Sequence, residues 1–379
     1  MPAFTGQLNA NEVFAAIFNM IISQHVFADN IDGVYGDLAD DCRVDGSMYG
    51  DTKLYYSSDA LRSYPWLGDE ESENLLQIHR PKAPKVQAVT INIFRQIPLT
   101  VDNYLTKRAW SSESAFSSFN SVMLGWIRDT KRIYDATLIN SFYGTAQSTE
   151  TNTRQNLAVS LPTNANPETQ NRLRAQTIAT YLANLIVDLK DVSRDFNDYR
   201  HIRSYNPAKL RVVWNSDFKN QITYMDLPTI FHERGLMDVD SKFKQTVLPA
   251  RYFGTVNAEG GTAPNPNTTI RSMVETDYNV DGEDVHLFPG DLIPAGSVYL
   301  ANETYTVDPT IVCKIMHTKS VPFMSGFETG TSFFNPKSLT ENHYLTWAHN
   351  TIEYLSNYPW ITIRATAAAA AAADEPAAE

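Results

Sequence analysis

The chain has 379 residues, 43% of them hydrophobic, and a formal net charge of −12. It is long enough for about two domains and can bury a core, but it lacks the basic surface needed to grip nucleic acid by its phosphates. Only Cys42 and Cys313 are present, too few for a disulfide framework or a cysteine zinc site, so both are expected as buried thiols.

No apolar run reaches the roughly 18 residues of a membrane span, because the segment from Phe14 to Val26 is broken by Asn19, Ser23, Gln24 and His25. No charged stretch precedes an apolar core at the N-terminus, which points to a protein made and used in a cytoplasm. Charge is unevenly placed. Residues 1–80 hold thirteen Asp/Glu against four Lys/Arg, with a cluster at Asp69, Glu70, Glu71 and Glu73, whereas residues 81–135 hold eight Lys/Arg against four Asp/Glu. Such segments attract each other within a chain or between chains, or stay as solvated faces.

In chain order, residues 7–28 carry a mostly apolar helical pattern that "DNIDGVYGDLADDCRVDG" breaks with glycines and aspartates, giving an N-terminal arm that leads into a loop. Next comes a long hairpin. Lys53 to Tyr56 is strand-like, Tyr64, Pro65, Trp66, Leu67 and Gly68 form a turn with an aromatic tip, and Leu75 to Arg80 is expected as the returning strand. Its acids and turn residues suit a projecting arm better than a core. Residues 85–105 set Val86, Ala88 and Thr90 against Val89, Ile91 and Ile93, the alternation of a strand, and lead into a long helix.

That helix, "AFSSFNSVMLGWIRDTKRIYDATLINSFYG", spans residues 115–144 and on the order of 45 Å. Phe116, Phe119, Met123, Trp126, Ile127, Tyr134, Leu138 and Phe142 form its apolar face, and Arg128, Asp129, Lys131, Arg132 and Asp135 lie opposite. Ser111 or Ser112 is expected as its cap and Gly144 as its left-handed stop. A polar linker follows. Residues 165–300 then alternate helix, strand and helix as an α/β domain does, with Leu210 to Trp214 a buried strand and Asn215 or Ser216 capping the next helix. "NAEGGTAPNPNTT" reads as a surface loop inside this region. The C-terminal part carries strand-like runs, a final strand at Trp360 to Ile363, and an Ala-rich low-complexity tail.

Signatures of chemistry fail in turn. "FHERG" pairs His232 with Glu233, but Leu236 stands where a zinc helix needs its second histidine. "GSMYG" is not a serine-hydrolase elbow, and no phosphate-cradling or dinucleotide glycine motif occurs. "DYNVDG" places Asp277, Asn279, Asp281 and Gly282 as a calcium loop would, yet the twelfth position is Phe288 rather than a glutamate, so an Asp/Gly turn is the better reading. No catalytic, cofactor or metal residue is assigned, and the chain is read as a protein that works by shape and contact, not as an enzyme.

The order of these parts resembles the major capsid proteins of tailed bacteriophages, an α+β fold of the Hong Kong 97 type. The stretch from "GDTKLYYSSDALRSYPWLGDEE" through the long helix, with "HYLTWAHNTIEYLSNYPWITI" near the end, is similar to the head proteins of small short-tailed (podovirus) phages. The resemblance implies an N-terminal arm at 1–49, an extended loop at 50–80, a peripheral domain at 81–150 with 305–364 and an axial domain at 151–304, leaving 365–379 as a disordered tail. It implies an icosahedral shell of hexamers and pentamers, a scaffolding protein and a portal as partners, packaged double-stranded DNA without specific binding, and assembly in the host cytoplasm. No cofactor is implied. Inter-subunit contact is expected at Tyr55, Tyr56, Tyr64, Trp66, Glu70, Glu71, Lys107 and Arg108. The alternatives are another phage structural protein, such as a tail component, and a hydrolase whose site is built from distant residues.

Overall fold

A computed structural model describes residues 36–46, 50–65, 78–102, 113–164, 166–223, 244–257, 276–280, 283–287, 298–299 and 304–367. The elements are α1 (Asp37–Cys42), β1 (Arg43–Asp45), β2 (Thr52–Ser57), β3 (Lys85–Asp102), α2 (Glu113–Thr145), β4 (Asn156–Leu161), α3 (Pro167–Lys190), β5 (Leu210–Asn215), α4 (Ser216–Thr223) and β6 (Lys244–Leu248). They continue with β7 (Gly254–Asn257), β8 (Thr276–Val280), β9 (Glu283–Leu287), β10 (Val298–Tyr299), β11 (Thr304–Val307), β12 (Ile311–His317), β13 (Phe323–Asn335), β14 (Thr340–Asn350) and β15 (Trp360–Ala367). Contacts group Met1–Lys53, Val89–Ile139 and Phe323–Thr351 as one unit, and Leu54–Ala88, Asn140–Pro322 and Ile352–Glu379 as a second.

The first unit rests on a sheet ordered β1-β13-β14-β3-β2. β14 is antiparallel to β13 and to β3, from Thr340↔Asp102 to Asn350↔Ile91, and β1 joins β13 in parallel. β3 keeps the alternation of its sequence: Val89 and Ile91 are buried, Ile93 is half-buried, and Val86 and Ala88 are exposed. The expected hairpin is corrected here. Residues 78–84 form no strand, Leu75 and the turn from Trp66 to Gly68 lie outside the described residues, and the neighbour of β2 is β3 itself. Gly50 N–H donates to Ile91 O (2.9 Å) and Ile91 N–H to Asp51 O (3.0 Å). β14 covers one edge of the long strand β3 and leaves the other for β2.

α2 is one helix of 33 residues. Among its described side chains a buried row runs through Ile127, Lys131, Asp135, Ile139 and Tyr143, widened toward the C-terminus by Ala136, Thr137, Asn140 and Ser141, whereas Trp126 is 36% exposed. The buried stripe is thus turned by about a residue from the expected apolar face, and Lys131 and Asp135, read as solvent-facing, lie inside it. Pairing explains this: Lys131 Nζ is 3.3 Å from Asp135 Oδ2, so the two charges neutralise each other one helical turn apart. Gly144 is also corrected. It sits within the helix, and a Cβ there would lie 1.7 Å from Tyr252 O. The glycine is required by close backbone approach and does not end the helix.

The second unit holds the sheet β4-β15-β12-β5-β6, with β12 antiparallel to β15 and β5, and with β4 and β6 added in parallel at the edges. β5 and β12 are buried along their whole length, as the continuous runs "LRVVW" and "IVCKIM" require of central strands. α3 lays Ile178, Leu182, Leu185 and Leu189 into the same core as Val212, Ile315 and Ile361. Its start is fixed by Asn166, whose Oδ1 accepts Glu168 N–H at 3.0 Å, followed by Pro167. Asn215 caps α4, accepting Asp217 N–H (3.1 Å) while donating to Ile311 O (3.0 Å). β8 and β9 pair antiparallel, Asp277 against His286 and Asn279 against Asp284, which makes the first two calcium-loop candidates strand residues. Cys42 and Cys313 are both buried and are not joined in a disulfide.

Candidate assembly surface

In the second unit, β2 ends at the buried Ser57, and the residues that follow are tied down over a short distance. Ser57 Oγ donates to Asn357 Oδ1 (2.7 Å) and lies 2.8 Å from His201 Nδ1. Arg203 Nη2 donates to Ser57 Oγ (3.2 Å) and to Ser58 O (2.7 Å). Asp59 Oδ1 accepts the N–H groups of Ile202 (3.0 Å) and Ala60 (2.9 Å), and its Oδ2 pairs with Arg194 at 2.7 Å. The Ile202 N–H, with help from Arg194, holds the Asp59 carboxyl well below the usual carboxylate range.

Beyond this point the chain is exposed. Leu61 is 78%, Tyr64 62% and Ile78 75% exposed, and the Tyr64 and His79 rings meet at 4.6 Å. Of the residues expected at a contact, Tyr56 (66%) and Tyr64 are exposed. Tyr55 is half-buried, and burial, with Tyr358 nearby, raises its pKa. Trp66, Glu70, Glu71, Lys107 and Arg108 lie outside the described residues. Leu61 and Ile78 were missed because isolated apolar residues in a polar stretch carry no period.

The first unit carries its own exposed aromatic pair. The Phe94 and Phe327 rings stand 6.1 Å apart edge to face, both about half-exposed, and Phe327 sits at φ +42° where β13 loses register. Beneath the sheet, Asp135 Oδ2 accepts from Arg43 Nη2 (3.1 Å) as well as from Lys131, and Lys131 reaches Glu328 at 3.1 Å. In the second unit the buried Lys314 Nζ donates to Gly144 O and Ala146 O, both at 2.7 Å, at the C-terminal end of α2. Burial, assisted by Arg364, pulls its pKa down to about 7. A neutral amine still has two N–H donors for those two carbonyls.

Among the described residues no group of three or more His, Cys, Asp or Glu is placed to hold a metal ion, and no helix is long and apolar enough to cross a membrane. Exposed aromatic groups stand beside well-braced strands, and such groups offer apolar surface for contact. A family model of Phi29-like phage major capsid proteins matches residues 3–361. The chain belongs to that family.

Solved structures agree on the fold. A chain from the capsid structure of Staphylococcus phage Andhra matches with a TM-score of 0.62 at 10% identity, over 90% of this chain and 87% of that one. A chain from the structure of the head fiber and inner core protein gp22 of bacteriophage P68 matches with a TM-score of 0.59 at 10% identity, over 90% and 88%. A search of curated proteins gave no significant match. The fold is therefore the α+β capsid fold of the Hong Kong 97 type, and the protein is a capsid-forming structural protein of a tailed phage, not an enzyme. Capsid membership implies assembly with further copies into an oligomeric shell. The tail component and the hydrolase fall away as alternatives.

Proposed function

We propose that this capsid protein builds an icosahedral head from hexamers and pentamers in the host cytoplasm, guided by a scaffolding protein and a portal, around double-stranded DNA that it does not bind specifically. The net charge of −12 supports the last point, since a shell that repels phosphate does not hold its packed genome fast. We assign residues 1–49 to an arm, 50–80 to the extended loop, 81–150 with 305–364 to a peripheral part and 151–304 to an axial part. Sheet pairing in the second unit supports moving β12 and β15 to the axial part, because both strands lie in one sheet with β5.

In this reading the extended loop is the inter-subunit contact. The observation that carries it is the exposure of Leu61, Tyr64 and Ile78 in a segment that begins immediately after a firmly bonded strand end, with Tyr56 exposed on the strand just before it. Large apolar groups in solvent gain roughly 25 cal/mol per Å2 when a neighbour covers them. The same contact includes Trp66, Glu70 and Glu71 on the loop and Lys107 and Arg108 on the receiving subunit. Replacing residues 61–79 by a short Gly/Ser link, in a phage head-gene cluster otherwise intact, tests it. A folded subunit without shells by sedimentation and electron microscopy supports the contact; shells at the normal yield refute it.

A further inference from the structure

We infer that Ser57 and Asp59, held by Arg194, Ile202, Arg203 and Asn357, form a clasp that fixes the direction in which the extended loop leaves the second unit. The inference rests on the loop being the assembly contact. It adds which residues position that contact without touching the neighbour.

The receiving half of the clasp is braced on its own. Residues 193–203 close on themselves through Ser193 N–H to Arg203 O and Arg203 N–H to Ser193 O, both at 3.0 Å. Inside that turn Asn197 Nδ2 donates to His201 O (2.9 Å) and His201 N–H donates to Asn197 Oδ1 (2.8 Å). Arg200 is held at φ +54°, a left-handed conformation that non-glycine residues adopt only when their surroundings impose it. Its carbonyl accepts from Arg194 Nη1 at 2.7 Å, the same nitrogen that pairs with Asp59. The strained residue therefore orients the arginine toward the loop.

The other half is bonded through backbone as well as side chain. Arg203 holds Ser58 O, and Asp59 holds the N–H of Ala60, the first residue past the clasp. Those bonds fix the exit dihedrals, not merely the position of a side chain. The exposed residues begin at once: Leu61 lies two positions and Tyr64 five positions further on, within about 17 Å of extended chain at roughly 3.3 Å per residue. A rotation released at Asp59 is thus carried to the contact residues, and a loop that must search for its orientation meets its neighbour at an entropic cost.

The test compares Asp59→Ala, which removes every acceptor, with Asp59→Asn, which keeps an oxygen for the Ile202 and Ala60 N–H groups but loses the ion pair. Both are made in the full head-gene cluster beside the wild type and the 61–79 replacement. Hydrogen exchange at Ala60 and Ile202 in the unassembled Asp59→Ala subunit should quicken about tenfold or more, and shell yield should fall about tenfold, with Asp59→Asn between it and the wild type. Cooperative unfolding of the subunit should persist in both. Wild-type shell yield with Asp59→Ala overturns the clasp and leaves the loop contact standing. Loss of cooperative unfolding in both variants overturns it too, by showing that Asp59 serves the fold. Shells from the 61–79 replacement overturn the loop contact itself.

Discussion

Replacing Asp135 by alanine removes the centre of the buried charge cluster in the first unit. Asp135 is 2% exposed and is the acceptor for both Arg43 and Lys131. Breaking a buried pair by deleting one partner costs about 3–5 kcal/mol, because the remaining charge is left uncompensated. Two features lower that figure here. Arg43 is 38% exposed along its side chain and keeps Asp40 at 3.1 Å, and Lys131 keeps Glu328 at 3.1 Å, although Glu328 is 52% exposed and screened. A loss of about 2–3 kcal/mol is expected, concentrated on Lys131. In thermal unfolding of the unassembled subunit this corresponds to a fall of about 3–4 °C. Lys131→Met alone should cost less than about 1 kcal/mol, since Asp135 retains Arg43, and in the Asp135→Ala background it should restore part of the loss. A midpoint unchanged in Asp135→Ala, or no recovery in the double variant, would show that the cluster is not an energetic unit.

Gly144→Ala should abolish folding of the second unit or cost more than about 3 kcal/mol, because its Cβ would meet the Tyr252 carbonyl at 1.7 Å and backbone cannot move aside as a side chain can; circular dichroism melting reads this directly. Lys314 binds fewer protons folded, with a pKa of about 7, than unfolded at 10.5, so subunit stability should rise as pH climbs from 7 to 10.5, and Lys314→Met should flatten that slope in melts taken across the range. If the acidic segment of residues 1–80 meets the basic segment of a neighbour, shell formation followed by light scattering should slow as salt rises, since exposed pairs are screened within about 10 Å at 0.1 M. Equal rates at low and high salt would reduce the asymmetry to solvated surface.

Strong local patterns were legible in the sequence. β3 announced itself by alternation, α3 as the helix that opens the helix-strand-helix order of residues 165–300, and β5 by an apolar run interrupted only by Arg211 and ending in the capping residue Asn215. What failed were readings that depend on partners distant in sequence. Lys131 and Asp135 look like solvent residues on a helical wheel; they pair with each other one turn apart, but the partners that complete the buried cluster, Arg43, ninety-two residues from Asp135, and Glu328, are distant in sequence. Gly144 has the place of a helix stop, and its role comes from Tyr252. The returning strand was placed at the nearest apolar stretch, whereas β2 pairs with a strand that begins at Lys85. Of the proposed contact surface, the aromatic content of the loop was visible, but the bonds of the proposed clasp were not: Asp59 and Arg194 sit in ordinary polar stretches, and nothing local ties them together.

The position of β15 in its sheet has a consequence for how the polypeptide is made. It lies between β4 and β12, hydrogen-bonded on both sides, yet its residues 360–367 leave the ribosome some two hundred positions after those of β4. Until then β4 has no neighbour in that sheet and β12 has only β5, so a nascent chain emerges with a gap at the middle of its second unit. Translation must run almost to residue 367 before the gap closes. Partly synthesised chains thus cannot complete the unit from which the loop departs, and a particle assembled from folded subunits excludes them without any separate act of inspection.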